Sequence, residues 1–160
     1  MRKDVIITLK GVVNPENEEE QMELMTEGRL YRKNGCYFIT YRESELTGMV
    51  GVTTTLKIEQ SGVTVMRNGP MSTHMVFRQG EKHYGLYQLE GGEPLTIAVR
   101  TSRVRQTICD FGGDVEIDYS IEINNVPTTD NKLRLNVREQ AVQSRWHRCI
   151  GISQMHWPLR

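Results

Sequence analysis

Hydrophobic and polar residues alternate without interruption between positions 114 and 124. The apolar positions are Val115, Ile117, Tyr119, Ile121 and Ile123, and the polar positions are Glu116, Asp118, Ser120 and Glu122. A period of two is typical of a β-strand with one dry face and one wet face. Most of the chain up to about residue 138 follows the same rule. The pattern therefore predicts an all-β protein.

Turn signals separate these alternating runs at the spacing of an all-β barrel or sandwich. Asn34-Gly35 is the strongest of them, because both residues accept a positive φ in a two-residue hairpin loop. That loop sets Leu30 opposite Ile39 and Gly28 opposite Tyr41. Apolar residues then meet on one face, which supports the predicted register.

Later glycine-containing turns predict the register of two more hairpins. Ser61-Gly62 as a loop places Ile58 opposite Val65. Gly112-Gly113 as a loop matches apolar with apolar residues and opposite charges with each other. Its predicted pairs are Ile108 with Ile117, Val104 with Ile121, and Arg103 with Glu122. A tight turn near Thr101-Ser102 is predicted to set Val99 against Val104 and Leu95 against Ile108.

These runs amount to about ten strands with little helix, and further strands are expected at 5–12, 22–31 and 132–138. A meander of this length with one dry face must pack as two sheets or close on itself. Closure removes exposed edges, so we expect a single closed antiparallel meander barrel over residues 1–139. Residues 140–160 lack the period of two and are expected to form an atypical C-terminal tail.

Composition narrows the classes of partner. Lys plus Arg and Asp plus Glu each number 20, so the chain has no overall field that attracts nucleic acid or an anionic membrane. No apolar stretch approaches the length of a membrane helix, and the N-terminal residues are too polar for a signal peptide. The widely spaced Cys36, Cys109 and Cys149 are typical of reduced thiols in a cytoplasmic protein. The sequence does not indicate an oligomeric state.

Several segments in the middle of the chain resemble the YwiB-like β-barrel family of Gram-positive bacteria. They are Glu43-Ser-Glu-Leu-Thr-Gly-Met, Gly51-Val-Thr-Thr-Thr-Leu-Lys-Ile-Glu, Val63-Thr-Val-Met-Arg-Asn-Gly, Met75-Val-Phe, Gly112-Gly113 and Asp118-Tyr-Ser-Ile-Glu-Ile-Asn-Asn. The resemblance covers residues 3–138 and implies a calycin-like barrel, related in shape to lipocalins and fatty-acid-binding proteins. It implies no activity, because that family is itself of unknown function. The loop 89–94 and the residues beyond 139 depart from its pattern.

Polar residues on the predicted dry face are the first candidates for a site. Gln106 is expected to face Tyr119 across the Gly112-Gly113 hairpin. A buried amide and phenol must find partners, either each other, a trapped water or a bound ligand. Arg67 also falls on the dry face, where a guanidinium must be paired or bind an anion. Its place beside the turn at 68–70 leaves open that it reaches water at the rim.

Histidines offer a second candidate group. If Gly80-Glu81 forms the loop of its hairpin, His74 faces Tyr87 and His83 faces Arg78, which suggests an acid–base or metal cluster. No third ligand is placed there, and surface histidines on a hairpin are commoner. In the tail, His147, Cys149 and His156 match no zinc-binding spacing. We therefore expect neither a metal nor another cofactor.

The chain contains no nucleophile elbow, phosphate loop or dinucleotide fingerprint, which favours a protein that is not an enzyme. A barrel of more than eight strands tends to enclose more space than its side chains fill. The leading hypothesis is a non-catalytic barrel that binds a small, partly apolar ligand in its interior or mouth. The candidate ligand-binding residues are Arg67, Gln106, Tyr119, His74 and Tyr87. The alternative is a structural or protein-interaction barrel with a filled core.

Overall fold

The computed structural model describes residues 1–14 and 20–140, which form ten β-strands and one turn of 3₁₀-helix, Glu45–Thr47. The strands are β1 (Arg2–Val13), β2 (Glu20–Lys33), β3 (Cys36–Arg42), β4 (Thr53–Glu59), β5 (Gly62–Asn68), β6 (Met71–Phe77), β7 (Lys82–Leu89), β8 (Leu95–Gln106), β9 (Gly112–Ile123) and β10 (Val126–Glu139). Each pairs with the next in antiparallel fashion, and β10 returns to β1. The predicted closed meander barrel is confirmed. Within the described residues, no helix has the length and apolarity to span a bilayer.

The barrel closes because its first strand is bonded along both edges. Ile7 of β1 lies opposite Thr26 of β2 and also opposite Val137 of β10. A strand paired on both sides offers no free backbone edge to another chain. Closure therefore removes the edge that an open ten-stranded sheet would expose.

The side chains of β9 alternate between a buried face and a charged outer face, as predicted. Val115 and Ile117 are fully buried, and Ile121 packs against the same core. On the other face, Glu116 and Asp118 lie within ion-pair distance of Arg134 at 3.7 and 2.8 Å. The dry faces of the strands share one interior, and the charged faces point outward.

The β2–β3 hairpin has the predicted register. Leu30 pairs with Ile39 and Gly28 with Tyr41, around a loop of Asn34 and Gly35. Those two loop residues have φ values of 53° and 78°, in the left-handed region that Asn and Gly accept at low cost.

The predicted registers of the β4–β5 and β8–β9 hairpins are wrong. Ile58 pairs with Val63 rather than Val65, so Gln60 and Ser61 form the turn. In the second hairpin, Val104 pairs with Ile117, Arg103 pairs with Asp118, and Asp110 and Phe111 form the turn.

Strand glycines explain the second error. Gly112 and Gly113 lie inside β9, with φ values of 114° and 143°. A Cβ on either would collide with the backbone of Val137 or Thr107, so these glycines permit close strand approach rather than a turn. Both register errors are even numbers of residues, so every side chain keeps its predicted face.

The turn predicted at Thr101-Ser102 is also wrong. β8 continues through this point, and Ser102 is an extra residue between the pairs Thr101–Tyr119 and Arg103–Asp118. Such a bulge bends a strand without ending it. Val99 consequently pairs with His83 and Ile121, not with Val104.

The two ends of the barrel differ in how the interior is filled. At the end formed by the β2–β3, β4–β5, β6–β7 and β8–β9 turns, inward side chains are almost completely inaccessible to solvent. They include Val5, Ile7, Leu30, Ile39, Ile58, Val63, Phe77, Val115, Ile117 and Val137. We call this the packed end. The opposite end, where β3–β4, β5–β6, β7–β8 and β9–β10 connect, contains two cavities and is called the cavity end.

Contacts between turns close the packed end. Tyr37 donates a hydrogen bond to Asp110 Oδ1 at 2.5 Å, and Arg32 lies 3.6 Å from the same oxygen. The neighbouring Phe111 ring is 4.6 Å from the Lys3 ammonium. The hydrogen bond from Tyr37 lowers the pKa of Asp110, and the Arg32 charge lowers it further. These contacts join the β8–β9 turn to β1 and to the β2–β3 hairpin.

Candidate functional site

A cavity of about 410 Å³ lies inside the cavity end. Its apolar wall is formed by Met75, Leu95, Ile97, Ile121 and Ile123. Its polar lining is Arg67, Thr73, Tyr87 and Tyr119. The volume falls in the range of roughly 300–1,000 Å³ that is usual for small-ligand pockets. The combination of an apolar wall and a few converging polar groups is also usual for such pockets.

Three of these polar residues, Arg67, Thr73 and Tyr87, belong to one row across five neighbouring strands. Tyr41 of β3 pairs with Thr54 of β4, Thr54 with Arg67 of β5, Arg67 with Thr73 of β6, and Thr73 with Tyr87 of β7. We call these five residues the polar belt. Side chains in register on adjacent strands are direct neighbours, so the belt forms a continuous polar surface inside the barrel.

Glu43 joins the belt at the point where β3 ends. Ile39, Tyr41 and Glu43 occupy alternate positions, so the period of two carries Glu43 inward. Its backbone N–H donates to Val52 O at 2.8 Å, which holds the β3–β4 connection against the barrel. The side chain is 1% exposed, and its Oε2 accepts a hydrogen bond from Thr54.

Glu43 and Arg67 form an ion pair inside the barrel, next to a smaller cavity of about 160 Å³ that both residues line. Arg67 Nε lies 3.9 Å from Glu43 Oε2, and the Arg67 side chain is 22% exposed. The distance is too long for a good hydrogen bond. Arg67 therefore has a charge partner and also borders the open space on both sides, since it lines both cavities.

Three buried polar atoms at this place have no hydrogen-bond partner. They are Glu43 Oε1, Arg67 Nε and Thr73 Oγ1. Each buried polar atom left unpaired costs about 1–3 kcal/mol. All three residues line a cavity, so water or a bound group can supply the missing partners there.

Two tyrosines add neutral donors to the site. Burial raises the pKa of Tyr119, and the nearby Arg67 charge offsets part of that effect. Burial likewise raises the pKa of Tyr41, with the Glu43 carboxylate adding to the shift. Both phenols therefore stay protonated at neutral pH. The Tyr119 ring also packs edge-on against Phe77, with ring centroids 4.7 Å apart, so its position is set by the packed core.

The predicted partnership of Gln106 and Tyr119 is wrong. Gln106 pairs with Val115, near the packed end, and Tyr119 pairs with Thr101 and Asn131. The error follows from the β8–β9 register. Gln106 Oε1 accepts a hydrogen bond from the Ile108 backbone at 2.9 Å, and Gln106 does not line the cavity.

The predicted histidine cluster is wrong by a single residue. Tyr87 pairs with Thr73 rather than His74, because the turn between β6 and β7 closes from Arg78 to Glu81. A one-residue shift reverses the faces, so His74 is exposed outside while Tyr87 lines the cavity. His83 pairs with Val99, not with Arg78, and contacts Glu81 at 2.9 Å.

Of the five candidate residues, Arg67, Tyr119 and Tyr87 line the same cavity. Glu43 and Thr73 were missed. Alternation alone places Glu43 inward after Ile39 and Tyr41, but Glu43 lies just beyond the end of β3.

No three His, Cys, Asp or Glu side chains within 1–14 and 20–140 are grouped to hold a metal ion. The tail residues His147, Cys149 and His156 lie outside the described residues.

Comparison with known proteins places this architecture in a family. A family model described as "Domain of unknown function (DUF1934)" matches residues 7–135. The chain belongs to this family. Its description names no activity, so membership identifies a fold and a lineage but not a reaction.

A relative and a solved structure agree with the family assignment. The uncharacterized beta-barrel protein YwiB of Bacillus subtilis (strain 168) is 26% identical over 127 residues, which cover 78% of this chain and 87% of that protein. The crystal structure of the ywiB protein from Bacillus subtilis matches with a TM-score of 0.78 at 19% identity. That match covers 88% of this chain and 94% of the other. It supports the barrel fold.

Proposed function

We propose that this barrel binds a small, largely apolar ligand in the cavity end, with the polar belt holding the polar part of the ligand. The observation that carries the proposal is the division of the 410 Å³ cavity into an apolar wall and a polar row. Ligand pockets have this composition because apolar area supplies affinity and a few polar groups supply orientation.

The roles follow from position. Ile121 and Ile123 are only partly buried although they point inward, so an apolar tail would cover surface that is now exposed to solvent. Arg67, Thr73 and Tyr87 lie side by side and would contact the head group. Tyr119, from the opposite wall, offers a hydroxyl that burial keeps protonated.

The alternative, a structural or interaction barrel, requires a filled interior. Side chains fill the packed end in this way, but two cavities occupy the cavity end. The ligand proposal therefore accounts for more of the described interior.

The test uses an uncharged dye, N-phenyl-1-naphthylamine, whose fluorescence rises in apolar surroundings. The variant Ile121→Trp fills the cavity, and Leu86→Trp adds the same side chain on the outer face, where Leu86 is 56% exposed. We expect the native protein and Leu86→Trp to bind the dye with similar affinity, and Ile121→Trp to lose at least tenfold. Equal binding by both variants would show that the dye sits elsewhere and would remove the proposal.

A further inference from the structure

The charges at the cavity are an opposed pair, Arg67 and Glu43. Arg67 is the charged side chain that lines the larger cavity, and Glu43 stands 3.9 Å from its Nε. Lys132 borders the smaller cavity but is exposed on the outer side of β10. A carboxylate bound at Arg67 would stand close to the buried Glu43 and meet a like charge. An ammonium at Glu43 would meet Arg67 in the same way.

The rim of the cavity end adds to the discrimination against anions. The described connections at this end are residues 43–52, 69–70, 90–94 and 124–125, and they contain no Lys or Arg. They do contain the exposed Glu45, Glu90 and Glu93. Charges of one sign around an opening repel ligands of that sign. An anionic ligand is thus opposed both at the mouth and at the polar belt.

The hydrogen-bonding groups of the site are complementary to a ligand that can both donate and accept hydrogen bonds. The Arg67 guanidinium can only donate, and the Glu43 carboxylate can only accept. Glu43 Oε1 and Thr73 Oγ1 are buried without partners. A head group with acceptors alone leaves Glu43 Oε1 unsatisfied, and one with donors alone leaves Arg67 Nε unsatisfied. Burying such unpaired groups is costly, so the site discriminates between head groups.

We propose that the cavity selects an uncharged head group that both donates and accepts hydrogen bonds, with a carboxamide as the simplest case, over a carboxylate or an ammonium on the same tail. This inference rests on the function proposed above and specifies the ligand class. Octanamide has about ten non-hydrogen atoms, and at roughly the 30 Å³ that one water occupies in the liquid, the molecule fits within the larger cavity.

The experiment ranks octanamide, octanoate and octylamine by displacement of N-phenyl-1-naphthylamine from the native protein at pH 7. We expect octanamide to displace the dye at a concentration at least tenfold lower than either charged compound. The variant Glu43→Gln removes the negative charge and leaves Arg67 without a counter-charge. We expect the preference to shift toward octanoate by at least tenfold in that variant.

Glu81→Gln is the matched control, because it removes one exposed negative charge from the β6–β7 turn at the packed end, away from the mouth and the polar belt. It should keep the preference for octanamide. Thermal unfolding of both variants establishes that they are folded. The ranking on the native protein needs no variant, so it remains decisive if Glu43→Gln does not fold.

The outcomes separate this inference from the proposed function. Tightest binding of octanoate or octylamine to the native protein overturns the head-group inference and leaves cavity binding intact. If none of octanamide, octanoate and octylamine displaces a dye that Ile121→Trp excludes, the head-group inference is likewise overturned and cavity binding remains intact. A dye that binds equally to Ile121→Trp and Leu86→Trp removes the proposed function, and the head-group inference falls with it.

Discussion

The packed end and the cavity end are built from the same strands, yet they differ in what their inward side chains do. On β9, Val115 and Ile117 are fully buried. Ile121 and Ile123, which lie further along the same face of the strand, keep part of their surface exposed to solvent. The polar belt lies within the cavity end, where three of its residues line the larger cavity.

Under the proposed function, the two ends divide stability and binding between them. Large apolar side chains fill the packed end, where each removed methylene leaves a void. At the cavity end, Thr54 and Thr73 occupy positions that a larger apolar residue could fill.

The largest expected effect compares two isoleucines on one strand. Ile117→Ala should lower the free energy of unfolding by about 2–5 kcal/mol, because it opens a void in a filled region. Ile121→Ala should cost below about 2 kcal/mol, since it enlarges a space that is already open. Urea unfolding with unchanged m-values measures both. Equal losses would mean that the two ends are packed alike.

A smaller effect concerns the ion pair in the polar belt. Glu43→Leu leaves Arg67 without its counter-charge and should cost about 1–3 kcal/mol. Replacing both residues with Leu removes both charges, so the double variant should be more stable than Glu43→Leu. A double-mutant cycle by chemical denaturation measures the coupling. Additive losses would contradict the pairing.

At the packed end, Asp110 links stability to pH. Its pKa is lowered in the folded protein by the hydrogen bond from Tyr37. The folded state therefore favours the ionised form, and this contribution is present above the ordinary pKa of about 3.9 and lost as the pH falls below it. The difference in unfolding free energy between the native protein and Asp110→Asn should be constant above about pH 5 and shrink toward pH 3. Parallel curves over that interval would show that the contact contributes nothing.

The smallest effect is expected from removing residues 140–160. A chain ending at Glu139 loses the two hydrogen bonds of Gln140, to Asp4 O and to the exposed Glu27. We expect its unfolding free energy to fall by less than about 1.5 kcal/mol, with unchanged dye affinity at the cavity end. Light scattering on both chains tests the interaction hypothesis. A dimer that forms only with the full chain would support the protein-interaction hypothesis. It would contradict a barrel whose function does not involve residues 140–160.

Alternation along the chain was sufficient to predict the barrel and the inward faces, because the period of two depends only on local residue type. Pairing was harder. The Asn34-Gly35 turn specifies its own register, whereas Gly112 and Gly113 resemble a turn but serve the close approach of Val137 and Thr107 from neighbouring strands. Nothing local distinguishes these two uses of glycine.

The candidate site shows the same contrast between what a single residue indicates and what only the strand pairing reveals. Arg67 was found because a cation on a dry face is conspicuous by itself. Thr54 is a β-branched residue typical of any strand, so nothing local marks it as a site residue. The predicted pairing placed His74 rather than Thr73 opposite Tyr87, because the turn at 78–81 was misplaced by one residue. A polar row across five strands emerges only when all four registers are known together.

Because β1 pairs with β10, the sheet is a continuous ring, and any of its strands could in principle come first in the chain. Asp4 and Gln140 are hydrogen-bonded neighbours beside the sealed base, far from the acidic mouth. A short linker joining Met1 to Gln140, with new termini opened between Gly91 and Gly92, should give a circular permutant with the same strands in rotated order. In the unpermuted chain, a tether placed at residue 1 would leave the mouth unobstructed, so immobilised protein should bind the dye as the free protein does.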